Sequence, residues 1–155
     1  MIAKCLITTP LRLSAVWRPA VLKHLLSLSR DDRYGRFASP LPDEGVAAYV
    51  ERIDFRKDCC FAILEPDSQL SGFIHLAVHG AFAELGASVL AARRRQGCAR
   101  LLFRSALSHA REGGIHEIHL ATGHPAARRI CAGLGYGLAS GEDYPRVRVN
   151  LQGAK

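Results

Sequence analysis

No apolar run in this 155-residue chain approaches the roughly 20 residues that a membrane-spanning helix needs, so a bilayer is not an expected partner. A secretory leader is not expected either, because Lys4 is soon followed by Pro10 and Arg12 and no continuous apolar core forms between them. The five cysteines, Cys5, Cys59, Cys60, Cys98 and Cys131, are odd in number and contain no Cys-x-x-Cys pair. That spacing excludes a zinc knuckle and argues against a disulfide framework. Free thiols in a reducing compartment, the cytoplasm, are the expectation, and no metal is expected. Neither a G-x-G-x-x-G fingerprint nor a phosphate loop ending in Gly-Lys-Ser/Thr occurs. Aromatic residues make up 7%, with no set placed to stack bases, so nucleic acid is not an expected partner.

What is present describes an ordinary globular domain, with 48% apolar and 23% charged residues. One domain over residues 1–155 is expected, as a monomer or homodimer. The net charge is +7, and part of it is local: Arg93, Arg94, Arg95 and Arg100 crowd around one glycine. Such a cluster is a candidate anion site.

Periodicity lays out the elements. A strand is expected over residues 6–16, then a helix opened by Pro19 with Val21, Leu22, Leu25, Leu26 and Leu28 on its apolar face. Residues 31–42 read as a loop or short helix, and residues 43–53 as a second helix. Three strands follow at 59–64, 70–78 and 81–90, and their short turns imply antiparallel pairing. The period then changes to 3.6 from Ala99 to Ala110, stopped by Gly113 and Gly114. A strand at 115–121, a helix at 125–134 and two short strands within 136–151 complete an α/β plan.

The sharpest local feature is Arg94-Arg95-Gln96-Gly97-Cys98-Ala99, where a strand ends and a helix begins. A helix N-terminus offers unpaired N–H groups and a positive dipole end, and a glycine lets a phosphate approach the backbone. The hexapeptide is therefore a pyrophosphate cradle, or else a turn glycine among solvated arginines.

Arg-x-x-Gly-x-Ala after a strand resembles the CoA-binding signature of the Gcn5-related N-acetyltransferases. His124-Pro125-Ala126-Ala127-Arg128-Arg129-Ile130-Cys131, closing on Gly133-Leu134-Gly135-Tyr136, resembles that family's second signature. Residues 59–151 carry the likeness well and the N-terminal part only in outline. Asp32-Arg33-Tyr34-Gly35-Arg36-Phe37 and Ile53-Asp54-Phe55 are similar to the acetyltransferase domains of bacterial protein acetyltransferases of the Pat type. The resemblance implies the family's fold, a mixed and mostly antiparallel sheet flanked by about four helices. It implies acetyl-CoA as cosubstrate and an amine acceptor, a small molecule or a protein. A CoA-binding regulatory module that has lost turnover is the alternative.

The resemblance also implies site residues. The amides of Gln96, Gly97, Cys98, Ala99 and Arg100 face the pyrophosphate, with Arg94 and Arg95 adding charge. Backbone groups near Val89, Leu90 and Ala91 bond the pantetheine arm, and His124 and Ala127 lie on the second signature. Glu84 matches the family's general base. An amine of pKa ~10.4 must lose a proton before attack, which costs roughly 4 kcal/mol near neutral pH without help. Cys131 stands where the family has a tyrosine that protonates the leaving thiolate. A thiol can in principle donate that proton, or the residue only packs. His75, His79, His116 and His119 read as satisfied strand histidines.

Overall fold

A computed structural model describes residues 9–120, 125–140 and 147–152. Its seven strands form one sheet: β1 (Leu11–Arg12), β2 (Cys59–Leu64), β3 (Leu70–His79), β4 (Phe82–Val89), β5 (Glu117–Leu120), β6 (Gly137–Ser140) and β7 (Val147–Asn150). Their order across the sheet is β1-β2-β3-β4-β5-β7-β6. Every pairing is antiparallel except β4 with β5, which is parallel. The five α-helices are α1 (Arg18–Leu26), α2 (Arg30–Phe37), α3 (Asp43–Arg52), α4 (Cys98–Glu112) and α5 (Pro125–Gly133). This is the mixed, mostly antiparallel plan expected, with α2 formed where the sequence left a loop or a short helix open.

The expected first strand is where the two differ most. Of residues 6–16, only Leu11–Arg12 pair in the described part, and Ala15–Trp17 wind into a 3-10 turn that leads into α1. Pro19 near the start of α1 favours that early coiling, because its fixed φ suits a first turn and it has no N–H to satisfy. Residues 1–8 lie outside the described residues.

Alternation along the strands divides the core in two. Cys59, Ile63, Ile74, Leu76, Ala83 and Leu85 face α4, meeting Leu102, Phe103, Ala106 and Leu107. Cys60, Ala62 and Phe73 face the opposite way, under Val21, Leu25, Val46 and Val50 of α1 and α3. Each buried Val, Leu, Ile or Phe among these contributes about 1.5–3 kcal/mol by leaving water, so both helix layers are held firmly to the sheet.

α2 is set differently. Ser29 caps it by accepting the Asp32 N–H at 3.1 Å, and Asp31 and Asp32 occupy the favourable first turn. Its last turn presses Arg36 onto β4, which positions the site described next.

Candidate active site

Among the described residues β4 and β5 pair from Phe82↔Glu117 to Leu85↔Leu120, and β4 is paired with β3 as far as Val89. Past Leu85 a cleft borders β4 at Gly86, Ala87, Ser88 and Val89. The Leu90 N–H donates to Ser71 on the β3 side at 2.8 Å, so strand alternation turns the backbone of Ala87 and Val89 toward the cleft. Its volume is about 380 Å³. Asp31, Asp32, Gly35 and Arg36 border it on one face of the sheet, and Ala99, Phe103, Ala126, Ala127 and Ile130 on the other.

The cradle lies at one end of the cleft. Gly97 precedes α4 with φ +81°, and a Cβ built on it would meet nothing within 4 Å. The first helical bond runs from Leu101 N–H to Gly97 at 3.1 Å, so the N–H groups of Ala99 and Arg100 precede the helix's own ladder. No acidic residue and no side-chain cap competes for them. Cys98 offers only its backbone, since its side chain is 2% exposed and lies in the core. Arg95 is exposed with φ 62°. Arg100 is exposed as well and reaches toward Gly133 of α5. The Gln96 amide donates to Ala92 at 3.1 Å, while its Oε1 is buried without a partner.

Two arginines of the cluster are already committed to side chains of the protein. Arg93 pairs with Glu65, Nε to Oε1 at 2.8 Å. Arg94 pairs with Asp32 at 2.7 Å and donates from Nε to the Val89 carbonyl at 3.2 Å, tying α2 to the cradle. Leu90 and Ala91 carry hydrogen bonds within the loop. Both backbone groups of Leu90 are used, its N–H on Ser71 and its carbonyl by Arg93, and the Ala91 carbonyl accepts from Arg94. The Val89 carbonyl is used as well, by Arg94, so the cleft-facing backbone is that of Ala87 and the Val89 N–H.

Glu84 is half-buried on β4, opposite Ala77 of β3 and His119 of β5. Alternation places it with Gly86 on the face away from α4, the face that Arg36 borders. Ala127 lines the cleft from α5, whereas Cys131 is 0% exposed in the core between α4, α5 and the sheet. Burial pushes its thiol up to about 12, so at neutral pH it stays protonated within the packing. His124 lies outside the described residues, as does Cys5. Cys59, Cys60 and Cys98 are buried free thiols like Cys131.

Sequence reasoning missed a buried polar chain on the Glu84 face. Arg36, 7% exposed, donates from Nη2 to the Tyr49 hydroxyl at 2.5 Å. That leaves the hydroxyl proton for Nδ1 of His75, and His75 Nε2–H donates to Asp58 Oδ2 at 2.8 Å. Burial would raise the Asp58 carboxyl, but the bonds from His75 and from Val78 N–H outweigh it and hold the pKa low. Burial raises the Tyr49 hydroxyl, against the opposing charge of Arg36. The Arg33-Tyr34-Gly35-Arg36-Phe37 segment is too polar to be read as a core helix, so its sequence gives no sign of this chain.

His24 of α1 is a second buried polar group, bonded to Ser88 of the cleft wall. Its Nδ1–H donates to the Leu70 carbonyl at 2.8 Å, so Nε2 accepts from Ser88 Oγ at 2.8 Å. Burial lowers its pKa to about 4, the Leu70 bond opposes that, and the charge of Arg36 assists it. Among the described residues no group of three or more His, Cys, Asp or Glu side chains could hold a metal, and no helix is long and apolar enough to cross a membrane.

The sequence model of the "Acetyltransferase (GNAT) family" matches residues 22–136. The chain belongs to this family. As a GNAT acetyltransferase it takes the acetyl group from acetyl-CoA and transfers it to an amine acceptor. Family membership favours the enzyme over a CoA-binding module without turnover. None of the curated proteins matches the chain.

The fold of the acetyltransferase is shared with solved structures. One is the GNAT domain of S. lividans PAT, at 20% identity and TM-score 0.73, covering 90% of this chain and 87% of that one. Another is a phosphinothricin acetyltransferase from Sinorhizobium meliloti in complex with AcCoA, at 14% identity and TM-score 0.67, covering 91% and 85%. A third is spermidine N-acetyltransferase from Vibrio cholerae in complex with CoA and spermine, at 16% identity and TM-score 0.67, covering 94% and 96%. At these identities the likeness is one of fold.

Proposed function

We propose that the cleft beside β4 is where acetyl transfer takes place. The observation that carries this reading is the continuity of three features: the N-terminus of α4, the cleft-lining backbone of Ala87 and Val89, and the face that bears Glu84. The pyrophosphate of acetyl-CoA rests on the amides that follow Gly97, where arginine charge lies nearby. The pantetheine arm runs along Ala87 and Val89 and delivers the thioester to the face of Arg36 and Glu84. Glu84 takes a proton from the acceptor ammonium. The amine nitrogen then forms its bond to the thioester carbonyl carbon, the C–S bond breaks, CoA leaves as its thiolate, and the nitrogen gives up its second proton to that thiolate through solvent. Cys131 is assigned to packing in this reading, because its thiol faces the core.

The protein works as one acetyltransferase domain, residues 1–155, in the cytoplasm, as a monomer or homodimer. Its partners are a small cosubstrate and an amine, and neither nucleic acid nor membrane.

Calorimetric titration with acetyl-CoA tests the reading, with ATP and NAD as polyanion controls. One-site binding of acetyl-CoA and no heat from the controls are expected, followed by product from an amine panel. Absence of binding by folded protein sinks the proposal. Binding without product from any amine would favour the regulatory module, the reading toward which the loss of the family tyrosine at Cys131 points.

A further inference from the structure

We propose that Arg36 holds a carboxylate of the acceptor, so that the amine acetylated belongs to a small, amino-acid-like molecule. This rests on the reading of the cleft as the acetyl-transfer site.

Arg36 lines the cleft and is 7% exposed, yet among the described residues no carboxylate lies within ion-pair distance of it. Its hydrogen bond to Tyr49 satisfies Nη2, and Nε is buried with no partner. A guanidinium taken out of water without an anion is costly unless something else neutralises it. Asp58, the acid at the far end of the polar chain, is separated from it by Tyr49 and His75. Arg36 is therefore a cation built into the wall of the cleft with part of its fork still to be used.

It is also held rigidly. The guanidinium lies 4.7 Å from the Phe37 ring and 5.1 Å from the Tyr49 ring, and the chain to Asp58 fixes Tyr49 in turn. A planar, fixed fork suits a carboxylate better than it suits any neutral group.

Its position fits the reaction. The guanidinium stands directly over Gly86, and Glu84 is two residues away on the same face, about 7 Å along the strand. Asp31 borders the cleft from α2 as a further acidic group. A cation and carboxylates at that spacing complement a molecule with an ammonium and a carboxylate a few bonds apart. A polyamine, with cations alone, would meet the Arg36 charge without compensating it. A volume of about 380 Å³, shared with the thioester, is on the scale of a small ligand.

The experiment offers the wild-type protein and acetyl-CoA two pools at equal concentration: the common amino acids, and the amines left by removing their carboxylates. Products are read by mass spectrometry, with acetyl-CoA binding measured by calorimetry alongside. Products from the amino-acid pool are expected. Arg36→Met should then lower kcat/KM for the best amino acid on the order of 100-fold, mainly through KM, and Arg36→Lys should recover part of it. If Arg36→Met does not fold, Tyr49→Phe removes only the hydroxyl that anchors the guanidinium, and the preference for an amino acid over its amine should shrink. Equal or faster acetylation of the amines overturns the proposal, as does an unchanged preference in the variants. No product from either pool, with acetyl-CoA bound, also overturns it while leaving the acetyl-CoA site standing. No acetyl-CoA binding removes the underlying reading and this one with it.

Discussion

The guanidinium of Arg36 occupies the space of a side chain that Gly86 lacks: a Cβ on Gly86 would stand 2.1 Å from its Cζ and Nη1. The two residues are a matched pair across α2 and β4. Gly86→Ala should therefore push Arg36 out of place. Overpacking of this kind costs about 1–3 kcal/mol, and turnover should fall at least tenfold with it. Thermal unfolding and steady-state kinetics check both effects. A variant with wild-type stability and wild-type turnover would show that the pair does not matter.

Gly97 presents the opposite case, since a Cβ there meets nothing. Gly97→Ala adds only the strain of a left-handed backbone, about 1 kcal/mol, and should bind acetyl-CoA within a few-fold of wild type. Gly97→Glu puts a carboxylate into the cradle and should weaken binding by more than roughly 100-fold, through charge repulsion and blockage. Calorimetry on both variants separates strain from occupancy. Normal affinity in folded Gly97→Glu protein would remove the cradle from the site.

Glu84→Gln keeps the shape of the side chain and removes its ability to take a proton. The expected loss in kcat is 10²–10⁴-fold, larger at lower pH where more of the acceptor amine is protonated, with acetyl-CoA affinity unchanged. Turnover unaltered across the pH range would dismiss Glu84 as the base.

His24 makes stability depend on pH. Its pKa is 6.5 in the unfolded chain and about 4 in the folded one, because burial disfavours the charged ring. The contribution is complete above 6.5 and is lost as pH falls toward 4, where only the unfolded chain binds the proton. The loss across that window is roughly 3 kcal/mol. Asp58, whose pKa is lowered from 3.8, acts in a separate and more acidic window. Urea midpoints from pH 7 to 4 should fall less steeply for His24→Gln than for wild type. Parallel curves would mean that the ring is not held neutral.

How much of this was readable from the residues depends on what each residue contrasts with. β2 is legible because Cys59–Leu64 is a continuous apolar stretch between polar turns, and α4 because its stripe has a clear period and a glycine stop. The cradle is legible because glycine among arginines at a strand-to-helix junction is unusual. α2 is not, since Arg30–Phe37 has little apolar content and gains its place through Arg36 and through the Asp32–Arg94 pair. Arginine is rarely buried, so nothing local signals that Arg36 faces inward while its neighbour Tyr34 is exposed. The use of Leu90 and Ala91 depends on hydrogen bonds to Ser71, Arg93 and Arg94 that form only once the loop has its shape.

The cleft beside β4 has a further consequence for the protein before it meets its cosubstrate. A sheet normally keeps unpaired edges at its rim, where charge or a bulge guards them, whereas this cleft borders a central strand. In the proposed binding mode the pantetheine arm, with its two amides, lies along that strand as a guest. Acetyl-CoA at 100 times its Kd would then add about 2.7 kcal/mol to folding stability. In that mode the level of cosubstrate sets the stability of the fold as well as the supply of acetyl groups.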